Sequence, residues 1–195
     1  MSKTTDQYQR IITICRDLFF KKAKDYGTSW RIMRLPSITD QLYIKAQRIR
    51  TLEETGVSKV GERAEDEYIA IVNYCIIGMI QLQMGDARDS PTLDESIADN
   101  QLPTAEVTQL YDQAVEETKN LMEAKNHDYG EAWREMRVSS LTDMILTKLH
   151  RTREIENNEG RTLVSEGIRA NYQDMMNYAI FALIKLGMAD EGMNN

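Results

Sequence analysis

The residues best suited to chemistry in this chain are basic side chains that occur twice at matching spacings. The stretches "DYGTSWRIMR" and "DYGEAWREMR" each carry Trp-Arg and then a second arginine, and a lysine and a further arginine follow each stretch. Arginine presents a planar fork that matches phosphate or carboxylate groups. The pattern therefore predicts a site for a nucleotide or another small phosphate ligand. The candidates are Arg31, Arg34, Lys45 and Arg48 in one copy and Arg134, Arg137, Lys148 and Arg151 in the other.

A polar stripe on an otherwise apolar predicted helix is the second chemical feature. On a helical wheel at about 100° per residue, Asp66 falls about 40° and Asn73 about 20° from Glu62. Burying carboxylates costs several kcal/mol each unless a cation or a hydrogen-bond donor meets them. Mg²⁺ prefers oxygen ligands and is one candidate for that cation. The lysines and arginines of the neighbouring predicted helix are the other candidates.

The polar stripe of the second copy has a different spacing, which predicts a different role. It consists of Glu166, Asp174 and Asn177, within about 80° on the wheel. Mg²⁺ lies about 2.1 Å from its ligands, whereas two helical turns span about 11 Å, so Glu166 and Asp174 cannot hold one ion together. Glu62 and Asp66 are one turn apart and can. The metal candidates are thus Glu62, Asp66 and Glu166, with tighter binding expected in the first copy and recognition of base or sugar by Asp174 and Asn177 in the second.

Further candidates for ligand binding flank these groups, and each has a structural alternative. The aspartates that precede a Tyr-Gly pair are also suited to ordering a turn. The aspartates that lie three positions after Ser37 and Ser140 are suited to capping a helix. The asparagines can hydrogen-bond a neighbouring helix, and the lysines and arginines can pair with Glu62 or Glu166. These candidates are Asp25, Tyr26, Asp40 and Asn73, and Asp128, Tyr129, Asp143 and Asn177.

The repeated chemistry belongs to a tandem duplication of nearly the whole chain. Residues of the first copy match residues 103 positions later, and the offset becomes 104 after an extra residue before Gly160. Charged identities rarely recur at matched spacing by chance. We therefore divide the chain into a first helical repeat at 1–85, a linker at 86–103 and a second helical repeat at 104–195. The polar, proline-containing linker is compatible with a short helix.

Each repeat carries apolar spacings typical of three helices. They are predicted at residues 6–24, 38–54 and 62–84, and at 104–126, 141–156 and 166–188. Ser37 and Ser140 are the predicted N-caps of the second helix of each repeat. The third helix is apolar on almost all sides, so it is expected at the centre. The predicted fold is all-α, a pseudo-two-fold bundle of two three-helix units.

Composition excludes several classes of protein. The net charge of −7 argues against a general nucleic-acid-binding surface. The longest apolar stretch, "YIAIVNYCIIGMIQLQMG", contains an asparagine and two glutamines and is short for a membrane span, so we expect a buried helix and no membrane partner. The two cysteines lie in apolar helical patterns, which favours a reducing, cytoplasmic location. The sequence leaves homo-oligomerisation open.

The motifs "DYGxxWRxxR" and "SxTDxxxxKxxRxR", with the later "NYQDMMNYAIFAL", resemble the nucleotide-modification-associated domain family, type one. The resemblance covers both copies and implies a role in nucleotide metabolism. The second copy is the closer match, because the first has Ala70 where the second has Asp174. More distantly, the chain is similar to the all-α nucleoside triphosphate pyrophosphohydrolases of the MazG and dimeric dUTPase type, which implies a Mg²⁺-dependent reaction. It departs from their Glu-Glu-x-x-Glu signature, since nothing completes that motif after Glu53 and Glu54.

The resemblance and the residues together predict a nucleotide-binding protein. One hypothesis is a Mg²⁺-dependent nucleotide (pyro)phosphohydrolase in which carboxylates hold the metal and the basic side chains neutralise phosphate. The second is a nucleotide-binding module without turnover. The third is a helical interaction protein whose polar stripes form salt bridges. The three differ in whether the carboxylates are free to face a metal or are paired with lysine and arginine.

Overall fold

The architecture is that of a computed structural model, which describes residues 2–59, 61, 63–162 and 166–190. The described residues contain seven α-helices and no strand. A short 3-10 helix follows the first helix of each repeat, at Ser29–Ile32 and Ala132–Glu135. The α-helices are α1 (Lys3–Tyr26), α2 (Leu35–Thr55), α3 (Ala64–Met84), α4 (Leu93–Asp99), α5 (Thr104–Tyr129), α6 (Val138–Asn157) and α7 (Ile168–Lys185).

The three helices predicted for each repeat are present, and α4 is the short helix of the linker. Helices α2 and α6 begin three residues before their predicted first residues, so the predicted N-caps are wrong. Arg34 and Arg137 occupy the N-cap positions, and Ser37 and Ser140 lie within the first turn. In α2 the first turn also accepts Pro36, because the backbone N–H that proline lacks has no intrahelical partner there.

The two apolar helices α3 and α7 form the centre of the molecule and pack against each other. Helix α2 packs on α3, α6 packs on α7, and α2 also contacts α6. At Gly78 an added Cβ would meet the ring of Tyr172, so glycine permits this close approach between α3 and α7. The predicted pseudo-two-fold bundle is confirmed. By length and hydropathy α3 would also pass as a membrane span, but 72% of its most apolar window is buried inside the protein.

A pair of buried hydrogen bonds repeats the internal symmetry. The Tyr8 hydroxyl of α1 donates to Asn177 Oδ1 of α7 at 2.9 Å. The Tyr111 hydroxyl of α5 donates to Asn73 Oδ1 of α3 at 3.0 Å. Each bond joins the first helix of one repeat to the third helix of the other. The two repeats therefore share one core and do not form separate three-helix domains.

The linker is fixed to the turn that follows α1. Its α4 has a capping box in which the Thr92 side chain and Glu95 satisfy each other's backbone N–H groups. Gln101 accepts hydrogen bonds at its Oε1 from the Thr28 backbone N–H (2.7 Å) and the Thr28 hydroxyl (3.1 Å). The Leu102 backbone N–H then donates to the Thr28 hydroxyl at 2.9 Å. These bonds hold the linker over one face of the first repeat.

Candidate functional site

A cavity of about 380 Å³ opens in the first repeat, between α1, the 3-10 helix after it, α3 and the linker helix α4. Its volume lies within the range of small-molecule sites. The walls are mostly apolar and aromatic, with a single lysine among them. The lining residues are Leu18, Phe19, Lys22, Ala23, Tyr26, Gly27, Ser29, Trp30, Ile32, Met33, Ala70, Asn73, Tyr74, Ile77, Leu93 and Ile97.

The cavity depends on two positions at which the repeats differ. Ile77 of the first repeat corresponds to Phe181 of the second, and the Phe181 ring stacks on Trp133 with centroids 4.2 Å apart and planes 3° apart. Ala70 corresponds to Asp174, whose longer side chain is buried. The smaller side chains at both positions leave space beside the first tryptophan that the second repeat fills.

Among the described residues that line the cavity, Lys22 is the one basic side chain. It is exposed and has no hydrogen bond or ion pair to any described residue. The aromatic residues Phe19, Tyr26, Trp30 and Tyr74 lie around the same space. Burial, together with the neighbouring Tyr74 and Asp25, raises the pKa of Tyr26, so this phenol is protonated and can donate a hydrogen bond.

In the second repeat the matching lysine, Lys125, is paired with a buried carboxylate. Lys125 Nζ lies 2.6 Å from Asp174 Oδ1, and Lys148 Nζ lies 2.6 Å from Asp174 Oδ2. The Asp174 side chain is only 6% exposed, so its charge needs both cations. Burial, with the negative charges of Asp174 and Glu166 nearby, raises the pKa of Tyr178 to about 12. The Asp174 carboxylate is thus engaged by protein cations.

In the first repeat the second-helix cations hold a different carboxylate. Lys45 Nζ lies 3.1 Å from Glu67 Oε2, and Arg48 Nη1 lies 3.0 Å from Glu67 Oε1. Glu67 is 2% exposed and was not among the sequence candidates. Matching the copies hid it, because the second copy has Asn171 at this position. The available signal for Glu67 was its position at the start of the apolar run of α3. A carboxylate that is buried there must be paired with a cation or a hydrogen-bond donor.

The first arginine after each tryptophan is used within the fold. Arg31 is buried and donates from Nη1 to Gln81 Oε1 at 2.5 Å, and Gln81 Nε2 donates back to the Arg31 carbonyl at 3.1 Å. Burial lowers the pKa of the Arg31 guanidinium. Arg134 Nε donates to Glu131 Oε2 at 2.6 Å, and its guanidinium lies 4.4 Å from the Trp133 ring centroid. Each arginine thus hydrogen-bonds the turn after the first helix of its repeat to another part of the protein, Arg31 through Gln81 and Arg134 through Gln7.

The second arginine of each motif and the Asp-Tyr pairs lie on the surface. Arg34 and Arg137 are exposed and form no ion pair with a described residue. Tyr129 is 73% exposed. Of the four Asp-Tyr residues, only Tyr26 lines the cavity. Asp25, which precedes Tyr26, is exposed. Its counterpart in the second repeat, Asp128, is exposed as well.

The aspartates of the second helices pair across the two repeats. Asp40 Oδ1 lies 2.7 Å from Arg153 Nη2, and Asp143 Oδ1 lies 4.0 Å from Arg50 Nη1. Neither aspartate caps its helix, because α2 and α6 begin at residues 35 and 138. Arg151, the counterpart of Arg48, forms no ion pair with a described residue. The aspartates therefore belong to the interface between the repeats.

The described residues do not assemble the predicted metal site. Asp66 is exposed and accepts a hydrogen bond from the Arg63 backbone N–H at 3.0 Å, as a cap of α3. Glu166 is exposed, and Glu62 lies outside the described residues. Among the residues that the structure describes, no three or more carboxylate, histidine or cysteine side chains are grouped so that they could hold a metal ion. The predicted pairing of Glu62 with Asp66 stays a prediction, because Glu62 is outside the part of the chain that the structure describes.

The side-chain amides of Asn73 and Asn177 are hydrogen-bonded to other residues of the core. Beyond the bonds from tyrosine, Asn73 Nδ2 donates to the Cys15 carbonyl at 3.0 Å, and Asn177 Nδ2 donates to the Thr118 carbonyl at 3.5 Å. Asn73 contributes to the cavity wall, yet both ends of its amide already have partners. The contacts of both asparagines therefore match the alternative prediction, in which each asparagine hydrogen-bonds a neighbouring helix.

Most of the residues predicted from the sequence to bind a ligand do not line the cavity, and the sequence analysis did not predict the cavity itself. Of these candidates, Tyr26 and Asn73 line it. Trp30 belongs to the repeated motif but was not a site candidate, and Lys22, Phe19 and Tyr74 were not candidates either. A signal existed in the recurrence of Lys22 as Lys125 combined with the loss of the aspartate at Ala70. That combination leaves one copy with a lysine and no matching carboxylate.

Comparison with known proteins gives one match. The family model of nucleotide modification associated domain 1 matches the chain twice, at residues 22–82 and 125–186. The two matched segments make up more than half of the 195 residues and include the turn, the second helix and the third helix of each repeat. No curated protein and no solved structure matches the chain.

Proposed function

Because the chain belongs to the nucleotide modification associated domain 1 family, we propose that it binds a nucleotide, and that the binding site is the cavity of the first repeat. The base lies among the aromatic and apolar walls, and the phosphate lies at Lys22. The site works by binding alone. The second repeat supplies the other half of the shared core.

The observation that carries this proposal is how the two repeats differ around a lysine that both of them have, Lys22 in the first and Lys125 in the second. In the second repeat the lysine is paired with Asp174 and the neighbouring space is filled by Phe181. In the first repeat the lysine has no partner among the described residues and faces an open cavity. An unpaired cation beside an aromatic-lined space suits a ligand with one planar apolar part and one anionic part.

The lining residues match the parts of a nucleotide. Aromatic side chains stabilise a stacked base by about 1–3 kcal/mol each, and they do so for any base because every base has a π-face. The Tyr26 hydroxyl and Ser29 can hydrogen-bond a polar edge or a sugar hydroxyl. Lys22 offers three N–H donors to phosphate oxygens.

Binding without hydrolysis is the form of the proposal that the described carboxylates support. Asp66 caps a helix, Glu67 and Asp174 are paired with cations, and Glu166 is exposed. A Mg²⁺-dependent phosphohydrolase would need one or two carboxylates beside the substrate phosphates, and none is among the described residues that line the cavity. We derive no catalytic step for this site.

Titration of nucleotides into the wild-type protein and two lysine variants tests the proposal. Removing the Lys22 ammonium in Lys22→Met deletes a charge-assisted hydrogen bond, so nucleotide affinity should fall about tenfold to a hundredfold. Lys21→Met is the matched control, because Lys21 is exposed, adjacent in sequence and absent from the cavity wall. Calorimetry with and without Mg²⁺ measures both affinities.

The proposal predicts nucleotide binding by the wild-type protein and by Lys21→Met, with a selective loss in Lys22→Met. Equal affinity in all three proteins would place the ligand elsewhere. Binding of none of the common ribo- or deoxyribonucleotides by the wild-type protein would contradict the proposed function itself.

A further inference from the structure

Three matched positions define where the charged end of a ligand would sit. In the second repeat they are Lys125, Lys148 and Asp174, which form a closed cluster with both ion pairs at 2.6 Å. In the first repeat the two lysines recur as Lys22 and Lys45, and alanine replaces the aspartate. The first repeat has therefore kept both cations of this cluster and lost its anion.

From this difference we infer that the first repeat holds the anionic group of its ligand over Ala70, between Lys22 and Lys45, where the second repeat holds the Asp174 carboxylate. The inference rests on the proposed function for the identity of the whole ligand. Asp174 acts as a built-in occupant of the second site, so only the first site is open to ligand.

The space needed for such a group is present in the first repeat. Both Ala70 and Lys22 line the cavity, so an anion over the Ala70 methyl group would lie inside it. Asp174 shows that a lysine at each matching position can reach one anion at this place, since each carboxylate oxygen receives one ammonium group. The two lysines occupy matching positions of the repeated sequence.

Lys45 can leave its present partner while the Glu67 carboxylate keeps one cation. It shares Glu67 with Arg48, and the Arg48 contact at 3.0 Å remains when Lys45 turns away. The Lys45 side chain is 26% exposed and has a flexible four-carbon stem, so it can change rotamer. Lys45 does not line the cavity while it is paired with Glu67, so it must turn away from Glu67 to reach the anion.

The charge of the site selects the class of ligand. A phosphate monoester carries about −1.5 to −2 at neutral pH, which two ammonium groups balance. A triphosphate would place further charge near walls that offer no additional cation among the lining residues. The ligand class is thus a nucleoside monophosphate.

The first test opens the second site by removing its internal anion. In Asp174→Ala, Lys125 and Lys148 lose their partner, so melting temperature should fall and should recover selectively in sodium phosphate compared with sodium chloride of equal ionic strength. Asp174→Asn is the control, because its amide fills the same space without charge and leaves no room for the anion. Calorimetry of phosphate binding should show one more site in Asp174→Ala than in the wild-type protein.

A phosphate effect in Asp174→Ala no larger than that in Asp174→Asn would overturn the inference. Folding of Asp174→Ala only in the presence of phosphate would support it. Sodium acetate in a parallel titration separates a site for any small carboxylate or phosphate from one that prefers phosphate.

The second test closes the first site and does not require Asp174→Ala to fold. Ala70→Asp should form the same cluster with Lys22 and Lys45, so it should raise the melting temperature and abolish stabilisation by phosphate. The double variant Ala70→Asp with Lys22→Met should lose the gain in melting temperature. Undiminished phosphate stabilisation in Ala70→Asp, or none in the wild-type protein, would contradict the inference.

The two proposals fail in different ways. Phosphate binding at both positions without binding of any nucleoside monophosphate would leave the anion site standing and overturn the nucleotide proposal. Nucleotide binding that is unchanged in Ala70→Asp would overturn the anion position and leave nucleotide binding itself standing.

Discussion

Asn73 and Asn177 are the residues that most directly join the two repeats. Each amide accepts a hydrogen bond from a tyrosine of the other repeat and donates one to a carbonyl of its own repeat. Asn73 is 8% exposed and Asn177 is 4% exposed, so water cannot readily replace a lost partner. A buried polar group in this situation stabilises the fold because the alternative is an unsatisfied donor or acceptor.

We expect Tyr111→Phe to destabilise the protein by about 1–2 kcal/mol, because Asn73 Oδ1 would lose its tyrosine donor while buried. The phenylalanine ring keeps the contacts of Tyr111 with Phe19, so the change isolates the hydroxyl. Tyr129→Phe is the control, since Tyr129 is 73% exposed. Urea denaturation measures both, and equal stability of the two variants would show that the buried bond contributes nothing.

At the scale of secondary-structure elements, the turn after the first helix is anchored differently in the two repeats. In the first repeat Thr28 is fixed by Gln101 of the linker. In the second repeat the corresponding Glu131 adopts a left-handed conformation with φ 58° and accepts hydrogen bonds from Thr4 and Arg134. The same motif therefore meets the linker in one copy and the start of α1 in the other.

Gly27 and Gly130 close these two turns, and substitution should separate their roles. Gly130 has φ 60° and ψ 34°, so Gly130→Ala should cost about 1–2 kcal/mol for the left-handed conformation. Gly27 has φ 65° and ψ −145°, a region that is nearly restricted to glycine and costs other residues about 1–3 kcal/mol. Its added Cβ would also collide with the Gln101 side chain, whereas nothing lies near the Gly130 position.

We therefore expect Gly27→Ala to be the more destabilising of the two changes by about 1 kcal/mol or more. It should also raise hydrogen exchange in the linker around Gln101, because the linker must shift to make room. Thermal melting and hydrogen exchange of both variants measure these effects. Equal exchange in the linker of the two variants would contradict the proposed contact.

At the scale of the whole molecule, two matching hydrogen-bond networks cross the interface between the repeats. Thr39 of α2 donates to Glu156 Oε1 of α6 at 2.6 Å, and Thr142 of α6 donates to Glu53 Oε1 of α2 at 2.8 Å. The hydroxyls of Tyr172 and Tyr68 complete the two networks. These bonds repeat on both sides of the pseudo-two-fold axis and so help to fix the register of α2 against α6.

The two carboxylates of these networks should make stability depend on pH. Burial raises the pKa of Glu156 and that of Glu53, with Asp40 contributing at Glu156 and Asp143 at Glu53. The hydrogen bonds from Thr39 and Thr142 on the facing helices oppose the shifts, as do the charges of Arg153 and Arg50 on the same helices as the two glutamates. The folded protein therefore retains a proton that the unfolded chain has released, so these groups stabilise the fold less as pH rises above about 4.5.

Glu156→Gln removes this titration and keeps a side chain that can accept from Thr39. The stability of Glu156→Gln relative to the wild-type protein should increase as pH is raised from about 4.5 toward neutrality. Glu154→Gln is the control, because Glu154 is exposed on the same helix. Glu53→Gln should show a smaller effect because Glu53 is the more exposed of the two. Urea denaturation at a series of pH values measures these differences, and parallel curves for Glu156→Gln and Glu154→Gln would contradict the assignment.

The sequence by itself determined the helices, the duplication and the family. Apolar spacing within each helix and identities at a fixed offset are local patterns, so they can be read without knowing which segments meet in space. The all-round apolar character of residues 64–84 and of the later matching segment placed α3 and α7 at the centre. The helix starts were less accurate, because Ser37 suits an N-cap as a residue type while α2 begins at Leu35.

Only the tertiary structure decided which polar residues are engaged and where space remains. The sequence patterns grouped Lys45, Arg48 and Asn73 with a ligand, but their partners Glu67, Cys15 and Tyr111 all come from other helices. An ion pair or a buried hydrogen bond depends on which elements meet, and helical spacing does not encode that. The open cavity likewise is lined by Ala70 and Ile77 of α3, whereas the second repeat has the longer side chains of Asp174, paired with two lysines, and Phe181, stacked on Trp133, at the matching positions.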